Sequence, residues 1–148
     1  MGVASVHRGS PAEREVRVGV RVWGTVDDRL IELLAKPGGT GSGIRIEGLP
    51  LGQSRTTGDR VRAALVNSGL LHREPVAVIH LDPPIRAGST SDLDLPIALA
   101  ALAKIGVISQ VGWIFAGGRL GLDGRIHIDL DNRLSIVTVV TDLCSADP

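Results

Sequence analysis

The chain has 148 residues, enough for one domain that buries its own core without disulfides or a structural metal. Lys plus Arg and Asp plus Glu both number 16, so no net field draws nucleic acid or an anionic membrane non-specifically. No apolar run approaches the ~20 residues of a membrane span, the N-terminus lacks the apolar core of a secretory signal, and the single cysteine, Cys144, cannot form an internal bridge. These features describe a soluble, cytoplasmic protein that needs no cofactor or metal.

Residues 1–13 are small and polar without periodicity, and we expect a disordered leader there. Residues 14–143 form a single domain and 144–148 a tail. "EVRVGVRVWG" (15–24) alternates Val16, Val18, Val20 and Val22 against Arg17, Gly19 and Arg21, the period of a half-buried strand. "RLIELLAK" (29–36) is short and sits between two strand patterns, which favours a strand over a helix. "KPGGTGSGIR" (36–45) has the glycine frame of a phosphate-binding loop, Gly38 and Gly43. Such a loop needs a following Lys-Ser/Thr and the first turn of a helix, whereas Gly43 is followed by Ile44, Arg45 and a strand pattern. A hairpin connection between two strands is the expectation, with Lys36 a solvated strand-end charge.

"GIRIEGLP" (43–50) is a third strand closed by Gly48 and Pro50. "SRTTGDRVRAALVNS" (54–68) places Val61, Ala64, Leu65 and Ser68 at helical spacing, with Arg55, Asp59 and Arg62 outward and Gly69 as the stop. "PVAVIHL" (75–81) is a buried strand; His80 within it is a satisfied half-buried residue rather than a metal ligand. "DLPIALAALAKIG" (94–106) has Asp94 where an N-cap belongs, Pro96 in the first turn and Gly106 past the end, and its apolar circumference must be covered on most sides. "GWIFAGGRLGLDGRIHI" (112–128) reads as strand, glycine corner and hairpin, with Asp123-Gly124 as a type I′ turn. The β-branched run 134–143 fits helix or strand.

The order β-β-β-α-β-α-β-β implies an α+β domain, a mixed, mostly antiparallel sheet with helices packed on one face. Aromatic residues make up 2% of the chain, with no tyrosine, so a base-stacking platform, which needs exposed rings, is not expected. No cluster of His, Cys and carboxylates has metal spacing, and "DLDN" (129–132) lacks the glycine and distal glutamate of a calcium loop.

Three blocks, "GLPLGQSRTTGDRVRAALVNSG" (48–69), "SDLDLPIALAALAKIG" (91–106) and "RLGLDGRI" (119–126), in that order and at those separations, resemble the N-terminal domain of magnesium-chelatase-subunit-like, competence-type AAA+ ATPases. The residues that carry the likeness are Gly48, Pro50, Arg60, Arg62, Asn67, Gly69, Asp94, Pro96, Asp123 and Gly124. The resemblance implies the Lon-protease-like variant of the ribosomal S5 domain 2-like fold. In whole members this domain precedes an ATPase module; the 148 residues hold no Walker motif, so a stand-alone domain is expected.

Related Lon-type peptidases use a Ser-Lys dyad. The resemblance puts Thr90 at or beside the serine position, next to Ser91, and Arg133 near the lysine position. An arginine stays protonated at neutral pH and is no general base, so a non-enzymatic domain is expected, one that binds a protein partner, such as an AAA+ ATPase, or its own copies. An alternative is a nucleic-acid-binding module using Arg55, Arg60 and Arg62 with Arg17 and Arg21, although zero net charge favours a solvated face. A third is a degenerate hydrolase built on Ser89, Thr90, Ser91 and Asp92; helix capping is the more common use of such residues.

Overall fold

Six strands make the main sheet of the computed structural model, which describes residues 5–9, 20–36, 43–71, 73–86, 90–108, 112–127 and 135–145. They are β1 (Ser5–Gly9), β2 (Val20–Val26), β3 (Arg29–Lys36), β4 (Gly43–Glu47), β5 (Val76–Asp82) and β6 (Gly112–Gly117). Their spatial order is β1-β6-β2-β3-β5-β4. Three neighbouring pairs are antiparallel and two, β2–β6 and β4–β5, are parallel. The architecture is the α+β, S5 domain 2-like arrangement that the resemblance implies.

Two features of the N-terminal half differ from the sequence reading. Ser5–Gly9, expected to lie in a disordered leader, is a strand paired with β6 over its whole length. β3 and β4 are not a hairpin, because β5 lies between them. Each strand pairs edge to edge with β5 instead, β3 antiparallel and β4 parallel, and the glycine-rich segment 37–42 that joins them lies outside the described residues. The true tight hairpin is β2–β3, where Val26 pairs with Arg29. Asp27 (φ 49°) and Asp28 (φ 64°) both take the left-handed conformation that a type I′ turn requires.

Alternation along the strands points Val22, Val26, Ile31, Leu33, Ile44, Ile46, Ala77, Ile79, Leu81, Ile114 and Ala116 to one buried face. The helices α1 (Leu51–Asn67) and α2 (Asp94–Ile105) cover that face. In α2 every residue from Asp94 to Leu102 is buried, and Leu95, Ile97, Leu99 and Leu102 each contribute about 1.5–3 kcal/mol by leaving water. α1 begins three residues earlier than its apolar spacing suggested, after Pro50.

α1 also packs along the β4 edge of the sheet. Gly43 donates its N–H to Pro75, so the alternate residues Ile44 and Ile46 turn their backbone groups away from β5. The Ser54 hydroxyl donates to the Ile46 carbonyl. A Cβ at Gly58 would lie 2.3 Å from the Ile44 carbonyl oxygen, so only glycine lets the helix backbone rest on the strand. The Ser54 bond and the Gly58 contact blunt this edge as a template for another strand.

The hairpin β7 (Arg119–Leu120) and β8 (Ile126–His127) and the helix α3 (Ile136–Ser145) complete the helical layer. The hairpin turn is not type I′. Only Gly124 (φ 88°) takes positive φ there, and the loop closes through Gly124 N–H to Gly121 O and Gly121 N–H to Arg125 O. This is the three-residue loop with a left-handed glycine. The segment that the sequence left open between helix and strand is helix α3, because Ile136, Val139, Val140 and Leu143 bury one face at helical spacing.

Candidate functional site

The three blocks that carry the family likeness meet at one carboxylate. Asp94 was expected to cap α2, but a short 3-10 turn, Ser91–Leu93, precedes the helix and takes over its start. That places Asp94 inside the first turn, fully buried. Arg60 of α1 donates to it from Nε (2.9 Å) and Nη2 (2.7 Å), and Leu120 of β7 donates its backbone N–H at 3.0 Å. Burial pushes the Asp94 carboxyl above its ordinary value, against the opposing pull of Arg60 and the Leu120 N–H. The hydrogen bond to Asp94 raises Arg60 in turn. One charged node therefore joins α1, α2 and the hairpin.

Other signature residues serve the same joint. Asn67 donates to the Leu122 carbonyl at 2.7 Å, and Asp123 accepts from the Arg125 N–H at 3.0 Å. Gly124 packs so closely on Ala64, Ser68 and Ile136 that a side chain there would meet all three. Pro96 lies against Gly24 of β2. Gly48 (φ 103°) and Gly69 (φ 81°) turn the chain at either end of α1, after Pro50 has opened it.

The hydroxyl residues ahead of α2 are held in place differently. Thr90 is buried, with its hydroxyl 3.4 Å from Gln53 Oε1 of α1. Ser91 opens the 3-10 turn, and Asp92 and Leu95 are pinned to Gly118 by backbone hydrogen bonds of 2.9 and 3.0 Å. Ser89, Arg133 and the DLDN segment lie outside the described residues. Among the described residues no three of His, Cys, Asp and Glu converge as metal ligands, and no helix is long and apolar enough to cross a membrane.

The arginine candidates do not gather into one patch. Arg60 is turned inward to Asp94, and Arg62 is paired with Glu74 through two hydrogen bonds, which holds the Glu74 carboxyl below its ordinary value. Arg55 is exposed beside a groove of about 730 Å³ between α1 and β4. Arg21 lies on the other side of the sheet, bonded to Glu32 at 2.9 Å and stacked 5.5 Å from the Trp23 ring centroid. Arg17 lies outside the described residues. The Gly43 N–H is bonded to Pro75, a strand and not a helix follows it, and Lys36 pairs with Glu47 at 2.7 Å. The described end of the stretch thus has the strand geometry that the sequence implied.

The sheet face opposite the helices carries what the sequence reading missed. Trp113 and Phe115 of β6 and Trp23 of β2 are all the aromatic residues of the chain, and all three alternate away from the core. Trp23 neighbours Phe115 across the parallel ladder, and Arg21 neighbours Trp113. Scarcity of aromatic residues was a poor guide to exposure, because the few present are concentrated. The signal was in the sequence: Trp23 stands between Gly24 and Val22, out of phase with the buried valines.

Fold and node together define a class, a helix-covered mixed sheet whose two helices and following hairpin are tied by one buried Arg–Asp pair. The family model described as Subunit ChlI of Mg-chelatase matches residues 32–141, well over half of the chain and including all three blocks that meet at Asp94. The chain belongs to this magnesium-chelatase-like family. Comparison with curated proteins gave no match.

Proposed function

We propose that the chain is a non-catalytic magnesium-chelatase-like domain that acts through protein–protein contact or self-assembly, in DNA processing, uptake or plasmid transfer beside an AAA+ motor. The observation that carries this reading is the inward use of the signature residues. Arg60, Asp94 and the Leu120 N–H satisfy one another, so the family's most distinctive groups act as scaffold and the outward chemistry is that of a surface. The hydroxyl of Thr90 faces an amide oxygen, which takes no proton at neutral pH and cannot act as a base. Arg133, which the resemblance assigns to the lysine position, stays protonated. The DNA setting rests on the family resemblance alone. A nucleic-acid-binding role is the weaker reading, because Arg60 and Arg62 are engaged by carboxylates and lie across the sheet from Arg21.

The test is hydrolysis by the pure protein. ATP and unstructured peptide are expected to turn over no faster than in buffer, and Thr90→Ala and Ser91→Ala are expected to change nothing. A turnover that either substitution abolishes overturns the proposal.

A further inference from the structure

From the sheet face that no described element covers we infer that the chain pairs with a second copy of itself, the two sheets stacked face to face. The inference rests on the reading above that the domain works by protein contact, and names the surface and the partner.

The strands make one face apolar for the core, and the same alternation should make the other face polar. It does not. Trp113 and Leu34 are each 40% exposed, Val76 39% and Leu30 51%, and Trp23 and Phe115 stand beside Trp113. Interfaces are enriched in aromatic residues and arginine, and here every aromatic residue of the chain lies on the one face that no described element covers.

Charge selects among occupants. Arg21, Lys36 and Arg45 share the face with Glu32, Glu47 and Asp82. Among the described residues, three cations against three anions leave no positive track for a nucleic-acid backbone, whose binding depends on such a track. An isologous interface presents one patch to itself, so a patch of one sign repels its copy whereas a patch of mixed sign can complement it, and this face is mixed. Lys36–Glu47 and Arg21–Glu32 are already paired within the chain, which lowers the cost of drying them.

Size agrees as well. Six strands at ~4.8 Å spacing and about five residues each at ~3.3 Å cover roughly 500 Å² in projection. Side-chain relief raises the accessible area toward the ~800 Å² per partner of a standard interface. Two sheets stacked this way sit ~10 Å apart with interdigitating side chains.

Sedimentation equilibrium of the full chain tests this, with intrinsic fluorescence as a second reading, because both tryptophans lie on the proposed interface. Association into a dimer is expected as concentration rises toward about 100 µM, a hundredfold above a ~1 µM dissociation constant, with a blue shift in emission over the same range. Trp113→Glu and Leu34→Glu are expected to weaken the dimer about thirtyfold or more; both positions already touch water, and circular dichroism verifies the fold. Leu122→Glu and Val66→Glu, at exposed apolar positions on the hairpin and α1, are expected to leave it unchanged. A chain that stays monomeric overturns the inference while leaving contact with a different protein standing. A dimer broken by Leu122→Glu or Val66→Glu but not by the sheet variants overturns it in favour of the helical side. Salt-dependent quenching of the monomer by oligothymidylate overturns it in favour of single-stranded nucleic acid.

Discussion

Replacing Asp94 by alanine removes the acceptor that α1 and the hairpin share. The Leu120 N–H is left buried without a partner, at about 1–3 kcal/mol. Arg60 loses a bidentate partner; removing one member of a buried pair costs about 3–5 kcal/mol. The Arg60 side chain is 23% exposed and can turn part of its charge to water, which keeps that contribution at the low end. Relief of the carboxylate's own burial cost offsets part of the loss. A net destabilisation of about 3–4 kcal/mol is expected, a large share of the ~5–15 kcal/mol typical of a domain. Urea unfolding followed by circular dichroism measures it. Asp94→Asn keeps an oxygen for Leu120 and is expected to cost less. Because burial raises the folded Asp94 above its unfolded value, the folded state holds the proton more tightly. Its contribution is therefore full below the unfolded value and falls as pH rises through the folded one. The advantage of wild type over Asp94→Asn should narrow across that window. Arg60→Met combined with Asp94→Leu leaves only Leu120 unanswered and should cost at least about 1 kcal/mol less than the two singles together. A strictly additive cycle, or an alanine variant within about 1 kcal/mol of wild type, refutes the node.

Other substitutions probe the scaffold independently. Gly58→Ala gains about 1 kcal/mol of helix propensity but drives a methyl into the Ile44 carbonyl; the clash should dominate, with a net loss of about 1–3 kcal/mol, and a raised melting temperature would contradict it. Asn-Gly in place of Asp27-Asp28 relieves two strained residues and an adjacent like-charge pair, for an expected gain of about 0.5–1 kcal/mol; a loss measured by the same unfolding curves would show that the turn is held by something other than its backbone.

Where the hydrophobic period was long and consistent, the sequence was sufficient. Ile44 and Ile46, the Val61–Leu65 stripe and the apolar run 95–103 of α2 named their elements and the helix-on-sheet arrangement, because burial of those side chains dominates local preference. Pairing was less legible. Nothing in residues 36–45 tells that β5, more than thirty residues on, comes between the strands they join, since that choice is made by the core that all of them cover. Asp94 misled for a related reason. A capping residue and a buried acceptor look alike in one dimension, and only the arrival of Arg60 from 34 positions away distinguishes them. The β-branched run 134–143 was ambiguous by propensity, yet its Ile136, Val139, Val140 and Leu143 spacing was already helical.

The alternation of the strands also divides the molecule's exposure to genetic change. Arg60, Asp94, Gly58 and Gly124 all stand on the helical side, where a substitution is felt by folding. The odd positions of β6 and β4 and the even positions of β3 and β5 belong to the other side, and substitutions at their exposed members empty no core. Such a sheet can exchange its outward residues at little thermodynamic risk. Drift in what the domain adheres to is thereby separated from drift in whether it folds.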